Sequence, residues 1–407
     1  MLRPYSLTEN TLPAQTYSRA ELTRFFLSCL AGFLAGHLTN YSVILFAQDV
    51  WQRDALAGAG FGLCFGVPLL LGWPAGAWCD QYSPQRIAQI AHGAFFLALL
   101  LLAAASRAEV YGVQLYLLGA TATGVGWSLL APARMALLGR MAGEQQARLA
   151  VLFNLLVMLG FGLAPLLLAA ARVEGGWTAV QAIGLLLFGL ASLLLVGLRV
   201  PALGGEGHVF ERIREGFAYA MGTPLLAQAL LTAVLIYLAM GPIQVMLPRF
   251  AQQVLQLQEM QRGMFLGALA LAFLIGGTIA LPLARRFGQG HVLLVAALLS
   301  GGGLILLANS VSLAGALLCL GLNGICAGTA ISLVVALLQH ESEPALRGRL
   351  MSLYTVTSQV IPAAGGLGAG LLLEVLPARL GLMLVGGGLT LLFAVALWRL
   401  QRLRRYA

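Results

Sequence analysis

Long apolar runs separated by short polar turns dominate the chain. They fall at roughly 25–47, 57–78, 87–106, 113–134, 150–171 and 178–198, and then at roughly 224–246, 263–283, 291–308, 313–337, 351–373 and 382–399. Each is close to the ~20 residues that a helix needs to cross a bilayer. Lipid offers no partner for free backbone groups, so each run must be helical. The pattern therefore predicts an all-α membrane protein of twelve transmembrane helices. One stretch breaks the rhythm. Residues 199–223 open with a Pro- and Gly-containing lead, after which Phe210, Ile213 and Phe217 recur at helical spacing, with Glu211, Arg212, Arg214 and Glu215 elsewhere around the helix. This reads as an amphipathic helix on the inner membrane face. The expected organisation is a polar tail over 1–24, a six-helix bundle over 25–198, the linker 199–223, a second six-helix bundle over 224–399 and a short basic tail over 400–407.

Composition agrees. The chain is 59% hydrophobic and 10% charged, where a soluble domain carries ~25% charged residues. Its net charge of +9 rests on 24 arginines and no lysine. With the N-terminus inside, eighteen arginines fall on inner segments and six on outer ones, which by the positive-inside rule puts both termini in the cytoplasm. Arginines scattered between apolar runs mark topology rather than a nucleic-acid surface. The five cysteines show no metal or disulfide spacing and read as packing residues. A phosphate-cradling loop ending in Gly-Lys is impossible without lysine, and no catalytic set appears, so neither an enzyme nor an ATP-driven pump is expected and no cofactor is implied.

An internal offset of 199 residues carries Glu144 and Arg148 onto Glu343 and Arg347, and Arg86 onto Arg285, which suggests two related halves. The stretch Gly72–Arg86 sits between the second and third runs. Gly76 and Asp80 lie four apart on one helix face, Gly72 precedes Gly76 at the spacing that admits a close helix, and Arg86 opens the next run. A carboxylate and a guanidinium on such a turn can latch a neighbouring helix end. Asp80, with Gly76, Arg86, Arg148 and Arg347, is the expected cytoplasmic gate, holding the inner ends of helices 2 and 11 together when the outer side is open.

Twelve helices, the six-plus-six division and the Gly-x-x-x-Asp turn resemble the major facilitator superfamily. Ala131-Pro132-Ala133-Arg134, Arg214-Glu215-Gly216-Phe217 and the run from Arg347 to Tyr354 resemble the branch of siderophore exporters and macrolide efflux pumps. The resemblance implies a multi-pass protein of a bacterial inner membrane with a central cavity lined by helices 1, 4, 7 and 10. Two departures stand out. Gln81, Ser83 and Pro84 occupy positions where the superfamily's turn carries basic and glycine residues. The proline of helix 5, Pro165, follows Ala164 rather than the glycine common in antiporters.

Every Asp and Glu falls at a helix end or in a loop by these spans, so no carboxylate is expected at the bilayer midplane. His37, near the centre of helix 1, is the candidate proton-coupling group, since imidazole titrates near ~6.5 when unperturbed. Asn40, Tyr41, Asn154, Gln244, Asn323 and Gln359 are candidate cavity residues, with Arg134 expected at the cavity's inner mouth. His92, His208, His291 and His340 are expected near the inner face. Neutral amides, one histidine and an arginine suit a polar or anionic small molecule. The reading is a proton-coupled exporter of a siderophore or similar metabolite, working as a monomer in the bilayer without nucleic acid. Drug efflux, import of an organic acid or sugar, and a non-transporting membrane sensor are the alternatives.

Overall fold

A computed structural model of the chain describes residues 17–202 and 209–406. The outer part of the expected N-terminal tail, the linker lead and His208 lie outside the described residues, as do the side chains of Phe210 and Ile213. Among the described residues there is no strand. The helices are α1 (Arg19–Asp49), α2 (Asp54–Gly66), α3 (Pro68–Gln81), α4 (Pro84–Ala105), α5 (Gly112–Met141), α6 (Gln146–Leu195), α7 (Val209–Gly222), α8 (Pro224–Gln253), α9 (Glu259–Phe287), α10 (Gln289–Ala308), α11 (Leu313–Glu341), α12 (Pro344–Leu373), α13 (Ala378–Arg399) and α14 (Gln401–Arg404). Their ends follow from local chemistry. Ser18 and Glu21 close a capping box at the start of α1, satisfying amides that the first turn leaves free. Prolines start α3, α4, α8 and α12, where a missing N–H costs nothing.

Among the described residues, eleven helices are long and apolar enough to cross a membrane. One of them, α6, doubles back. It breaks at Gly175 and Gly176, the latter with φ +62°, a conformation that glycine adopts without steric cost. Its first arm ends beside α1 at Arg172, which meets Asp49. Its second arm returns along α1, so that Ser28 donates to Ala191 O at 2.7 Å. Large apolar side chains such as Leu70, Leu186, Val311 and Leu318 stand outward and exposed, as lipid-facing residues do.

The apolar core has a particular shape. One buried cluster joins α1, α2, α5 and α6 to α8–α13, through residues such as Phe46, Phe61, Phe161, Phe250 and Phe265. Two further clusters do not join. One, around Phe25, Phe95 and Leu137, stays within residues 25–200; the other, around Leu226, Leu337 and Phe393, stays within residues 220–403. The core is thus continuous at the end where α1 stops and α2 starts, and splits in two towards the chain termini. The ends of the described chain, Tyr17 and Tyr406, pack on these two separate clusters and so lie at the split end. The expected basic tail is docked there: Leu403 is fully buried, its N–H donates to Gln228 Oε1 at 2.8 Å, and Tyr406 donates to Glu341 at 2.7 Å. Burial and the Glu341 carboxylate push the Tyr406 phenol up to about 12, so it keeps its proton and remains the donor.

At the joined end, glycines set the distance between helices. A Cβ on Gly58 of α2 would sit 2.8 Å from Gly366 O and from Gly370 Cα of α12, and one on Gly370 would sit 2.6 Å from Asp54 O. Gly241 of α8 faces Pro362 and Gly366 in the same way. α8 runs unbroken across Gly241–Pro242, and Gly241 admits α12 against it. The Gly72/Gly76 pair corrects the sequence expectation: no atom of another helix lies within 4 Å of a Cβ built on either residue. The side chain of Gly58→Val has backbone and not a flexible tip to displace, so it should destabilise the joined state by about 1–3 kcal/mol. A fall in the unfolding midpoint of the purified protein checks this; an unchanged midpoint contradicts the close-approach reading.

Candidate functional site

The sequence-predicted polar residues divide into three environments. His37 and Asn40 sit one turn apart on α1 and meet the same residue of α5. The Trp127 indole N–H donates to Asn40 Oδ1 at 2.9 Å, and the His37 ring lies 5.3 Å from the Trp127 ring and 5.2 Å from Phe161. Tyr41 is buried and stacks on Phe161 at 6.2 Å. Gly36 makes this possible, because a Cβ there would lie 2.8 Å from Trp127. His37 Nε2 and Asn40 Nδ2 are enclosed without a hydrogen-bond partner, the condition under which a buried polar group invites a ligand, a proton or a water.

Arg134 forms the second environment, and here two expectations need correcting. Arg134 is not at a cavity mouth: α5 continues two turns past it to Met141, and its side chain is fully buried. The guanidinium donates to Ser28 O at 3.3 Å, lies 3.4 Å from His92 Nε2 and stacks 4.2 Å over the Phe33 ring. Gly32 leaves the room it occupies. Arg134 Nη1 has no hydrogen-bond partner, and among the described residues no carboxylate pairs with it. His92, expected near the interface, is 2% exposed because α4 begins at Pro84 and places it two turns inside. His291 and His340 are exposed.

The remaining amides scatter. Asn323 donates to Ser300 O at 2.8 Å and Ser300 Oγ at 2.9 Å, and so sits in the α10–α11 seam. Asn154 is exposed, whereas Gln244 and Gln359 are half-buried. A pair not singled out from the sequence joins α8 to α12: the hydroxyls of Tyr237 and Tyr354 meet at 2.7 Å.

The third environment is ionic and closes the joined end. Asp49, the last residue of α1, takes Arg262 of α9 at 2.6 and 3.1 Å and also meets Arg172 of α6. Glu259 lies 3.2 Å from Arg172 and 3.1 Å from Arg262. Asp54, the first residue of α2, accepts from Arg249 Nε of α8 at 2.6 Å and from Gln48 Nε2 at 2.9 Å, while Gln48 also donates to Val245 O at 2.9 Å. Arg249 reaches Gln52 at 3.1 Å and Gln252 at 3.2 Å. Glu374 caps the N–H of Ala55 at 2.8 Å. Among the described residues, the hydrogen bonds and ion pairs between 19–202 and 224–406 all lie at this end. The sequence placed both aspartates at helix ends; it carried no signal that they would be buried against arginines more than a hundred residues away.

At the split end the expected gate residues stand apart. Asp80 is 3.6 Å from Arg140 of α5, an arginine not singled out from the sequence, which also donates to Cys79 O and Pro201 O at 2.7 Å. Arg347 bonds to Ser342 of its own segment at 3.3 Å, and Arg349 pairs with Glu215 of α7. Arg86 and Arg148 are exposed, and open space surrounds Gly76.

Comparison with known proteins agrees with this geometry. The chain is 27% identical to the enterobactin exporter EntS of Salmonella choleraesuis over 402 residues, which is 95% of this chain and 94% of that protein. It is 26% identical to the enterobactin exporter EntS of Escherichia coli O81 over 95% of this chain and 93% of that protein. Among solved structures, a bacterial homologue of the iron transporter ferroportin in the inward-facing state matches with a TM-score of 0.74 at 19% identity, covering 96% of this chain and all of that one. The nucleoside transporter NupG matches with a TM-score of 0.78 at 13% identity, covering 94% and 99%. The family model of the Major Facilitator Superfamily matches residues 24–281 and 229–406. The helices, the split core and these matches lead to one assignment: the chain belongs to the Major Facilitator Superfamily.

Proposed function

We propose that this protein is a secondary active transporter of a bacterial inner membrane that exports a siderophore or a similar small polar or anionic metabolite, coupled to protons. Counting the two arms of α6 separately gives twelve membrane helices, arranged as two six-helix halves, 25–198 and 224–399, with the termini on the cytoplasmic side. The observation that carries the reading is the joined core and buried ion network at one end, with separate cores at the other. Two halves that meet at one end and part at the other are one state of an alternating cycle, here open towards the cytoplasm. The likeness to enterobactin exporters over nearly the whole chain supports the direction and the class of solute.

In this reading His37, Asn40 and Tyr41, with Trp127 and Phe161, form the part of the cavity wall that meets solute and proton. Arg134 lies behind that wall as a buried positive charge. Asp80 joins a cytoplasmic-side latch in the opposite state, when Arg347 and Arg349 come within reach. A buried cation without a carboxylate is retained at a cost in stability, which argues for a role in function.

Three outcomes check the proposal. Loss of the gene in the host under iron limitation should leave siderophore inside the cells, with restoration by the intact chain; unchanged secretion contradicts siderophore export. His37→Gln should abolish pH-driven export while solute binding stays measurable, and uphill transport with an unaltered pH profile would make His37 structural. Arg134→Met should raise stability by about 1–4 kcal/mol, read as a higher unfolding midpoint, and lower transport. A falling midpoint would show the charge to be paired after all.

A further inference from the structure

The ionic network consists of two groups that respond differently to separation of the helices. Asp49, Arg172, Glu259 and Arg262 form a closed set of two negative and two positive charges. Asp49 and Arg172 belong to the N-terminal helices, and Arg262 and Glu259 to the C-terminal ones. Pulling the two sides apart leaves a complete ion pair on each. Asp54 and Arg249 behave otherwise. On separation Asp54 keeps Gln48 and Arg249 keeps Gln252, both neutral amides, and each charge loses the one opposite charge that pairs with it among the described residues.

Coulomb's law sets the scale of the difference. Four alternating unit charges at the corners of a square, divided into two pairs, lose two attractions but also two diagonal repulsions, a net of about 0.6 of one ion pair. Dividing Asp54 from Arg249 loses a whole pair with no repulsion relieved. The second group thus holds the end more strongly, although the first has more salt bridges and a two-point contact from Arg262 to Asp49. We propose that Asp54–Arg249 is the latch that sets how often this end of the transporter opens, and that the Asp49 group is a partner-exchange device that lets the halves part with every one of its charges still paired.

The inference rests on the alternating reading above, but it has its own readout. In the full chain reconstituted in lipid nanodiscs, hydrogen–deuterium exchange over residues 54–62 and 243–250 reports opening of the joined end, and residues 127–138 serve as an internal reference. Asp54→Asn should raise exchange at the joined end by about tenfold over Asp49→Asn, as expected when a whole pair rather than a fraction of one is removed. Both should leave the reference segment unchanged. The reciprocal exchange, Asp54→Arg with Arg249→Asp, should restore wild-type protection. Exchange raised as much by Asp49→Asn as by Asp54→Asn overturns the proposal. So does failure of the reciprocal pair to restore protection, or an equal rise in the reference segment, since the charge would then hold a helix bundle rather than the contact between bundles. A variant set that follows the reversed order while still exporting solute would sink this inference and leave the transport reading standing.

Discussion

The structure depends on charges buried where two sets of helices meet. An aspartate out of water is tolerated only when an opposite charge and further hydrogen-bond donors surround it. Asp49 and Asp54 meet that condition through Arg262 and Arg249, which come from the far side of the chain. The pairing can form only if the helices approach closely, and they do so because Gly58, Gly241, Gly366 and Gly370 present no side chains along the seam. Close packing, a continuous apolar core and the ion network are therefore one feature. Where the glycines and the charges stop, the core divides.

The N-terminal helices carry a different constraint. Arg134, His92, His37 and Asn40 are polar groups enclosed among Phe33, Trp127, Phe161 and Phe188, and each retains an atom without a hydrogen-bond partner. Soluble proteins keep few such atoms. In a membrane bundle such groups are costly, and the proposed transport reading places solute, proton or water beside them. Gly32 and Gly36 serve this arrangement rather than helix packing, since the space beside them is filled by the side chains of Arg134 and Trp127.

The helices were legible from hydropathy, because lipid forces an apolar run of ~20 residues to be helical, although the run at 57–78 is divided at Val67 into α2 and α3. So was the reversal after Arg172, where Gly175 and Gly176 interrupt two runs. Placement at helix ends was legible for Asp49 and Asp54, but their partners were not: Arg262 and Arg249 lie about two hundred residues away, and no local pattern records such a contact. His92 and Arg134 were misplaced for a simpler reason. Hydropathy ends a run at the first charge, whereas α5 continues past Arg134 because Phe33, Ser28 and the gap at Gly32 receive it. The Gly72/Gly76 spacing misled in the other direction, since small residues four apart permit a close helix without supplying one.

In the alternating cycle proposed for this protein, the joined end and the split end exchange roles. Pulsed electron resonance distances between spin labels test it directly, with one pair at Val110 and Val311 beside the joined end and a second pair at Arg86 and Arg285 beside the split end. Two populations are expected in lipid at each end, with any treatment that lengthens the first distance shortening the second. A single fixed distance at both ends, unmoved by solute, pH or the Asp54→Asn change, would contradict it.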